Sequence, residues 1–192
     1  MKIVYASGTG FTKEYAQMLS KELSLEAYDV KDALSLLKEG ETIIYLAYIH
    51  AGGLRYFNKV NRKFKIVAIG AVGMSLDSTQ IKGIRKRHRI KPSIGLFYMQ
   101  GGYAPDRIKG GDKFAMSIVK KIIIKQLSKK QELTDIERDA LDLALNGGSR
   151  VNKEALTDII SLESVSYSSH APLFGMMVVA KSLLLDLSTL TS

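Results

Sequence analysis

The chain has 192 residues, 46% hydrophobic and 24% charged, enough for one globular domain with a real core and room for an extension. Lys and Arg number 28 against 19 Asp and Glu, giving +9 and a pI near 9.6; this balance favours anionic partners such as phosphates, nucleic acid or an acidic membrane surface, or simply keeps the protein in solution. Cysteine is absent, which excludes disulfides, thiolate metal sites and cysteine nucleophiles, and only three histidines argue against a multi-histidine metal centre.

Lys2–Ala6 is a short β-branched run that ends at a Ser/Gly/Thr cluster, the pattern of a buried strand followed by a tight loop. That cluster comes too early for the apolar region of a secretion signal, and no uninterrupted apolar stretch has the length of a membrane span, so the expectation is a cytoplasmic protein. Phe11–Leu23 has helical spacing, with Phe11, Tyr15, Met18, Leu19 and Leu23 on one face. Leu25–Val30 is a second strand and Lys31–Lys38 a short helix closed by Gly40. Thr42–Ala47 is a third strand, followed by a loop from Tyr48 to Gly53 and a basic helix within Leu54–Phe64. Lys65–Gly70 is a fourth strand with a loop Ala71–Met74, Ser78–His88 a basic helical segment, and Ile94–Met99 a fifth strand ended by Gly101 and Gly102. Gly111–Leu127 and Thr134–Leu145 are amphipathic helices, the second opened by a capping box of Thr134 and Glu137. Asn152–Ser161 is a last helix capped by Asn152.

Strands that alternate with helices and are continuously apolar predict a parallel, doubly wound sheet covered on both faces. Residues 1–163 form this domain. Residues 164–192 are an extension: a polar linker, Ser164–Ser169, then the apolar Pro172–Leu190, broken only by Lys181 and Asp186. That segment packs on the domain, forms a homodimer through a second copy, or lies on a membrane surface.

The sharpest chemical signal is Ser7-Gly8-Thr9-Gly10-Phe11-Thr12, between the first strand and the first helix. Glycines let backbone wrap a phosphate, the helix N-terminus attracts an anion, and the hydroxyls of Ser7, Thr9 and Thr12 add neutral donors. The loop holds no lysine, and the spacing is neither that of a P-loop nor the GxGxxG of a dinucleotide fold. Hydroxyls and amides alone suit a monophosphate that stays bound and is not transferred.

The stretch VYASGTGFT resembles the FMN phosphate loop of flavodoxins, a Ser/Thr-x-Thr-Gly-x-Thr pattern matched here by Ser7, Thr9, Gly10 and Thr12. IIYLAYIHAGG (Ile43–Gly53) and LFYMQGGYAPDRIKGGDKFAMSIVKKI (Leu96–Ile122) are similar to the flavodoxin-domain subfamily that includes the quinone-dependent protoporphyrinogen oxidases. The resemblance runs from about Lys2 to Ser161. It implies a flavodoxin-like α/β fold, a five-stranded parallel sheet of order 2-1-3-4-5 with helices on both faces and extra C-terminal helices. It implies FMN as cofactor, with Ser7, Gly8, Thr9, Gly10, Phe11 and Thr12 at the phosphate. Tyr48, Ile49, His50, Ala51 and Gly52 would lie on one side of the isoalloxazine, and Ala71, Val72, Gly73 and Met74 on the other side or at its pyrimidine edge. The chain has no tryptophan, so Tyr48 or His50 would stand in for a stacking Trp, and the loop after the fourth strand lacks the tyrosine that many flavodoxins stack there.

Three functions follow as expectations. The first is an FMN-dependent oxidoreductase, protoporphyrinogen-oxidase-like, acting on a small organic substrate or a redox partner. The second is a non-enzymatic flavodoxin-type electron carrier, against which the basic charge counts because flavodoxins are typically acidic. The third is anion or nucleic-acid binding through Lys82–Lys91, where six of ten residues are Lys or Arg. That stretch lacks the aromatic residues that stack on bases, so a solvated helix face, or one turned to acidic lipid or to substrate carboxylates, suits it better than nucleic acid. No catalytic acid or base stands out.

Overall fold

In the computed structural model, which describes residues 1–75, 78–108 and 110–168, the β-branched runs of the first hundred residues lie side by side and the amphipathic stretches between them cross over as helices. The elements are β1 (Lys2–Ala6), α1 (Phe11–Leu23), β2 (Ala27–Asp29), α2 (Val30–Leu36), β3 (Thr42–His50), β4 (Gly53–Leu54), α3 (Phe57–Lys63), β5 (Lys65–Gly73), α4 (Gln80–His88) and β6 (Gly95–Gln100). The parallel strands are ordered β2-β1-β3-β5-β6, and β4 folds back antiparallel on the end of β3. Counting only the parallel strands, the order is 2-1-3-4-5: a flavodoxin-like, doubly wound α/β sheet.

Each face is buried by its own helices. On one face Val4, Ile43, Tyr45, Ile69 and Leu96 pack with Val30 and Ala33 of α2, Phe57 and Val60 of α3, and Ile84 of α4. On the other, the side chains of Leu46, Met99 and Ile159 close over Gly70, where a Cβ would come within 2.6 Å of the first two. Tyr15 of α1, fully buried, donates its hydroxyl to the Gln100 carbonyl at 2.6 Å and so ties that helix to the end of β6. A one-residue irregularity at Val67 shifts the β3–β5 register between Ile43 and Ile44, which keeps Ile66 and Ile69 on the same core face.

Several boundaries differ from the sequence expectation. Strand β2 is shorter than Leu25–Val30 because the Asp29 carboxylate caps α2, accepting from the Lys31 amide at 3.0 Å. Strands β3 and β5 are longer: each runs nine residues, to His50 and Gly73. The reason is mutual pairing, since Tyr48 lies opposite Val72, Val72 opposite Met99, and Gly73 opposite Gln100. Tyr48–His50 and Ala71–Gly73 are therefore strand residues, not loop.

After β6 come β7 (Gly102–Tyr103), a 3-10 turn at Pro105–Arg107, α5 (Gly111–Leu127), α6 (Asp135–Asn146), β8 (Gly148–Ser149), a second 3-10 turn at Glu154–Leu156, and α7 (Thr157–Ser168). The capping box forms as expected: Thr134 Oγ1 accepts from the Glu137 amide and the Glu137 carboxylate from the Thr134 amide. Asn152 accepts from the Ala155 amide at 2.9 Å, and the 3-10 turn precedes the helix proper. The chain divides into two compact units, 1–159 and 160–192. Of the second, only Ile160–Ser168 is described; it is helical, so the stretch expected as a linker from Ser164 is helix through Ser168. The apolar Pro172–Leu190 lies outside the described residues. Among the described residues no helix is long and apolar enough to cross a membrane.

Strands β7 and β8 pair antiparallel, Gly102 with Ser149 and Tyr103 with Gly148. Gly102 has φ +141°, and a Cβ there would lie 2.3 Å from the Gly148 carbonyl oxygen. We expect Gly102→Ala to destabilise the protein by about 2–4 kcal/mol in urea denaturation. Gly83, inside α4 with nothing within 4 Å of its Cβ position, provides the contrast: Gly83→Ala should stabilise by about 0.5–1 kcal/mol.

Candidate functional site

Parallel pairing brings the carboxyl ends of β1, β3, β5 and β6 to one edge, with Ala6, Ala47, Ala71 and Tyr98 in register as the last common row. The strand order reverses between β1 and β3, where ligands of open α/β sheets bind. The loop after β1 carries Ser7–Gly10 and opens directly into α1. Ser7 Oγ accepts from the amides of Gly10 at 3.1 Å and Lys13 at 3.3 Å, folding the loop around itself. Gly10 has φ +107°, a conformation that favours glycine. Among the described residues, the amides of Thr9, Phe11 and Thr12 make no hydrogen bond. Phe11 and Thr12 themselves are buried, 6% and 2% exposed.

The strand extension of β3 delivers an aromatic ring to this loop. Tyr48 packs on Gly8, whose Cβ position is 3.4 Å from the ring, and burial raises the Tyr48 hydroxyl above the usual phenol range. His50 stands edge-on to Tyr48, ring centroids 6.2 Å apart, with Nδ1 3.9 Å from an Asp112 carboxylate oxygen in the first turn of α5. Ala51 and Gly52, φ +48° and +72°, form the two-residue turn into β4, and both are exposed. Ile49 is paired with Leu54 across that hairpin and packs toward the core.

On the β5 side the four expected residues divide. Ala71 and Val72 are strand residues buried to 0% and 5%, so their side chains belong to the core. Gly73 and Met74 lie at the edge, held by the neighbouring strand. The Gly101 amide donates to the Gly73 carbonyl at 2.7 Å and Gln100 Nε2 to the Met74 carbonyl at 3.2 Å. Tyr98 lies over Gly73 and donates to the Ser75 carbonyl. A tyrosine does therefore cover the end of β5, but it comes from β6. Gln100 also donates to Asp139 of α6, which pairs with Arg150 Nε at 2.7 Å. The same arginine reaches Asp142, whose carboxyl is held below its usual range by Asn146 and by Arg150.

Sequence reasoning missed Arg107. Its Nη1 donates to the Thr9 carbonyl at 3.2 Å, lies 3.1 Å from the Cβ position of Gly10 and is 4.0 Å from Glu14. A cation thus stands at the Ser7–Gly10 loop although no Lys or Arg lies within it. The only local cue was a lone Arg in a Pro-containing turn, almost a hundred residues away.

The basic segment Lys82–Lys91 turns out to be partly structural. Arg85 donates to the Lys91 carbonyl at 2.8 Å and the Ile94 carbonyl at 3.1 Å, closing the end of α4. Arg87 donates to the Ala51 carbonyl at 2.9 Å, and His88 Nε2 accepts from the Leu54 amide at 2.8 Å, so α4 holds the β3–β4 hairpin. His88 also packs on Phe57, ring centroids 4.5 Å apart, beside a hollow of about 150 Å³ lined by Tyr56, Asn58 and Lys59 as well.

The chain matches no protein-family model and no curated protein sequence.

His88 is held below its ordinary value of 6.5, by burial first and then by Arg87. Its neutral form is the one that accepts from Leu54. The unfolded chain therefore takes the proton first as pH falls, and the contribution is complete above about 6.5 and lost as pH drops through the lowered folded value. Thermal denaturation between pH 8 and 5 should show this loss in the wild type. His88→Gln, whose amide oxygen can accept from Leu54 without titrating, should lack that part of the pH dependence.

Proposed function

We propose that the chain is an FMN-binding flavodoxin-domain oxidoreductase, and the observation that carries this reading is the Ser7–Thr12 loop at the reversal point of a 2-1-3-4-5 sheet with Tyr48 packed on it. The residues fit a phosphate monoester: amides of Thr9, Phe11 and Thr12 without internal partners, the Thr9 hydroxyl on the loop, and the Arg107 guanidinium beside Gly10. Tyr48 and His50 would border the ring system on the β3 side, and Gly73 and Met74 on the β5 side. Bound FMN would supply the electron-transfer chemistry. The chain's own residues would bind the phosphate, border the ring edge with the pinned carbonyls of Gly73 and Met74, and set the Arg107 guanidinium, itself near Glu14, at the loop.

The net charge of +9 favours the oxidoreductase over an acidic-type electron carrier, because a positive field stabilises added electrons and favours anionic substrates. The nucleic-acid alternative is weakened by the internal use of Arg85, Arg87 and His88. A protoporphyrinogen-type substrate, which carries carboxylates, suits the same positive surroundings.

The decisive experiment is fluorescence titration of apoprotein with FMN and with riboflavin. FMN should bind at least tenfold more tightly, since the phosphate adds hydrogen bonds to a charged group, each worth about 1.5–3 kcal/mol. Thr9→Ala with Thr12→Ala, and separately Arg107→Gln, should each weaken FMN by about tenfold and leave riboflavin nearly unchanged. Binding of neither flavin would overturn the reading. Equal affinity for both would remove the phosphate loop from it.

A further inference from the structure

Helix α5 is apolar on two sides, and among the described residues only one of them packs on another element, α6. Met116, Ile123, Ile124 and Leu127 share one face and are half-buried where α5 runs along α6. Phe114, Ile118 and Ile122, spaced i, i+4, i+8, share the other. They are 72%, 44% and 47% exposed, and no residue of α5 is fully buried. A stripe of this kind in a helix of 17 residues is a cost in water unless something covers it.

The charges around the stripe say what that is. Lys121 and Lys125 flank Phe114, Ile118 and Ile122 on the helix surface, and both are exposed without an acidic partner among the described residues. The one acidic residue of α5, Asp112, lies two residues before Phe114, beside His50. No polar side chain interrupts the stripe. Two copies meeting through this face would bring lysines against lysines in a chain already at +9. An anionic bilayer answers every feature: apolar side chains enter the acyl boundary, lysine stems lie along it, and the ammonium groups reach the headgroup phosphates. We propose that α5 docks the protein on an anionic lipid surface through Phe114, Ile118 and Ile122, with Lys121 and Lys125 as its electrostatic contacts. His50 faces Asp112 at the start of the same helix, so docking sets the β3 edge of the candidate site close to the lipid. The inference does not depend on the flavin reading.

Flotation of the full chain with vesicles tests it, using phosphatidylcholine alone and a two-to-one mixture of phosphatidylcholine and phosphatidylglycerol. The wild type should float with the mixed vesicles at low salt, release at high salt, and ignore phosphatidylcholine alone. Ile118→Ser with Ile122→Ser should cut the bound fraction at least fivefold, and so should Lys121→Glu with Lys125→Glu. Because the chain has no tryptophan, Phe114→Trp gives a single reporter at a position that tolerates an aromatic ring. Its emission should shift to the blue and become shielded from aqueous iodide when mixed vesicles are added. Circular dichroism of each variant should match the wild type. Unchanged flotation of both double variants would overturn the proposal, as would an unmoved reporter on protein that floats. So would concentration-dependent dimerisation, abolished by the paired serines, in a protein that binds no vesicle, or capture by polyglutamate without vesicle binding.

Discussion

Parallel pairing is the constraint on which the rest of the molecule depends. Because every parallel strand must be re-entered from the same end, each is followed by a crossover, and the segments after β1, β3, β5 and β6 all emerge at one edge. A sheet wound this way is covered on both faces, so its strands carry apolar residues at nearly every position. Its polar chemistry is pushed to the carboxyl edge, where backbone leaves the ladder. The Ser7–Gly10 loop, the β3–β4 hairpin and the Gly73–Ser75 turn are neighbours for this reason, although they are spread over more than sixty residues of the chain.

Most of that architecture could be read from local signals. The β-branched runs, the helical spacing of Phe11–Leu23 and the Thr134–Glu137 box each state their own structure, because the interactions behind them are made within a few residues. What could not be read was decided between strands. Nothing in Tyr48-Ile49-His50 separates loop from strand until Val72 is known to lie opposite Tyr48, and the same holds for Ala71–Gly73. The turn at Ala51 hid for a different reason: an alanine at φ +48° breaks the usual Asn-Gly signature of a two-residue hairpin. In the site, hydroxyls and glycines announced the loop, whereas Arg107 and Tyr98 reach it only through tertiary contact, and a charge run of six basic residues concealed two that serve as internal braces.

Those braces give the site edge an uneven build. The β5 turn is fastened at three consecutive carbonyls, from Gly73 to Ser75, by residues of β6 and the turn after it, and Gln100 carries the connection on to Asp139 and Arg150. The β3–β4 hairpin is held from α4 by two side chains, one of them a histidine that accepts from Leu54 only when neutral. The hairpin thus depends on a titratable anchor, whereas the turn is held directly at carbonyls by an amide, a glutamine and a tyrosine.

The short β7–β8 ladder has a consequence beyond its two pairs. It brings Tyr103 opposite Gly148, so the forty-odd residues holding α5 and α6 leave and rejoin the sheet domain at almost one point. Seen from the core, that whole excursion has the end-to-end geometry of a tight turn. Closure entropy grows only slowly with the length of such a loop, so the helices within it can lengthen, shorten or change their surface with little penalty to the sheet. The fold thereby separates two evolutionary freedoms: the strand edge keeps its geometry, while an appendage with coincident ends is free to change what the molecule touches.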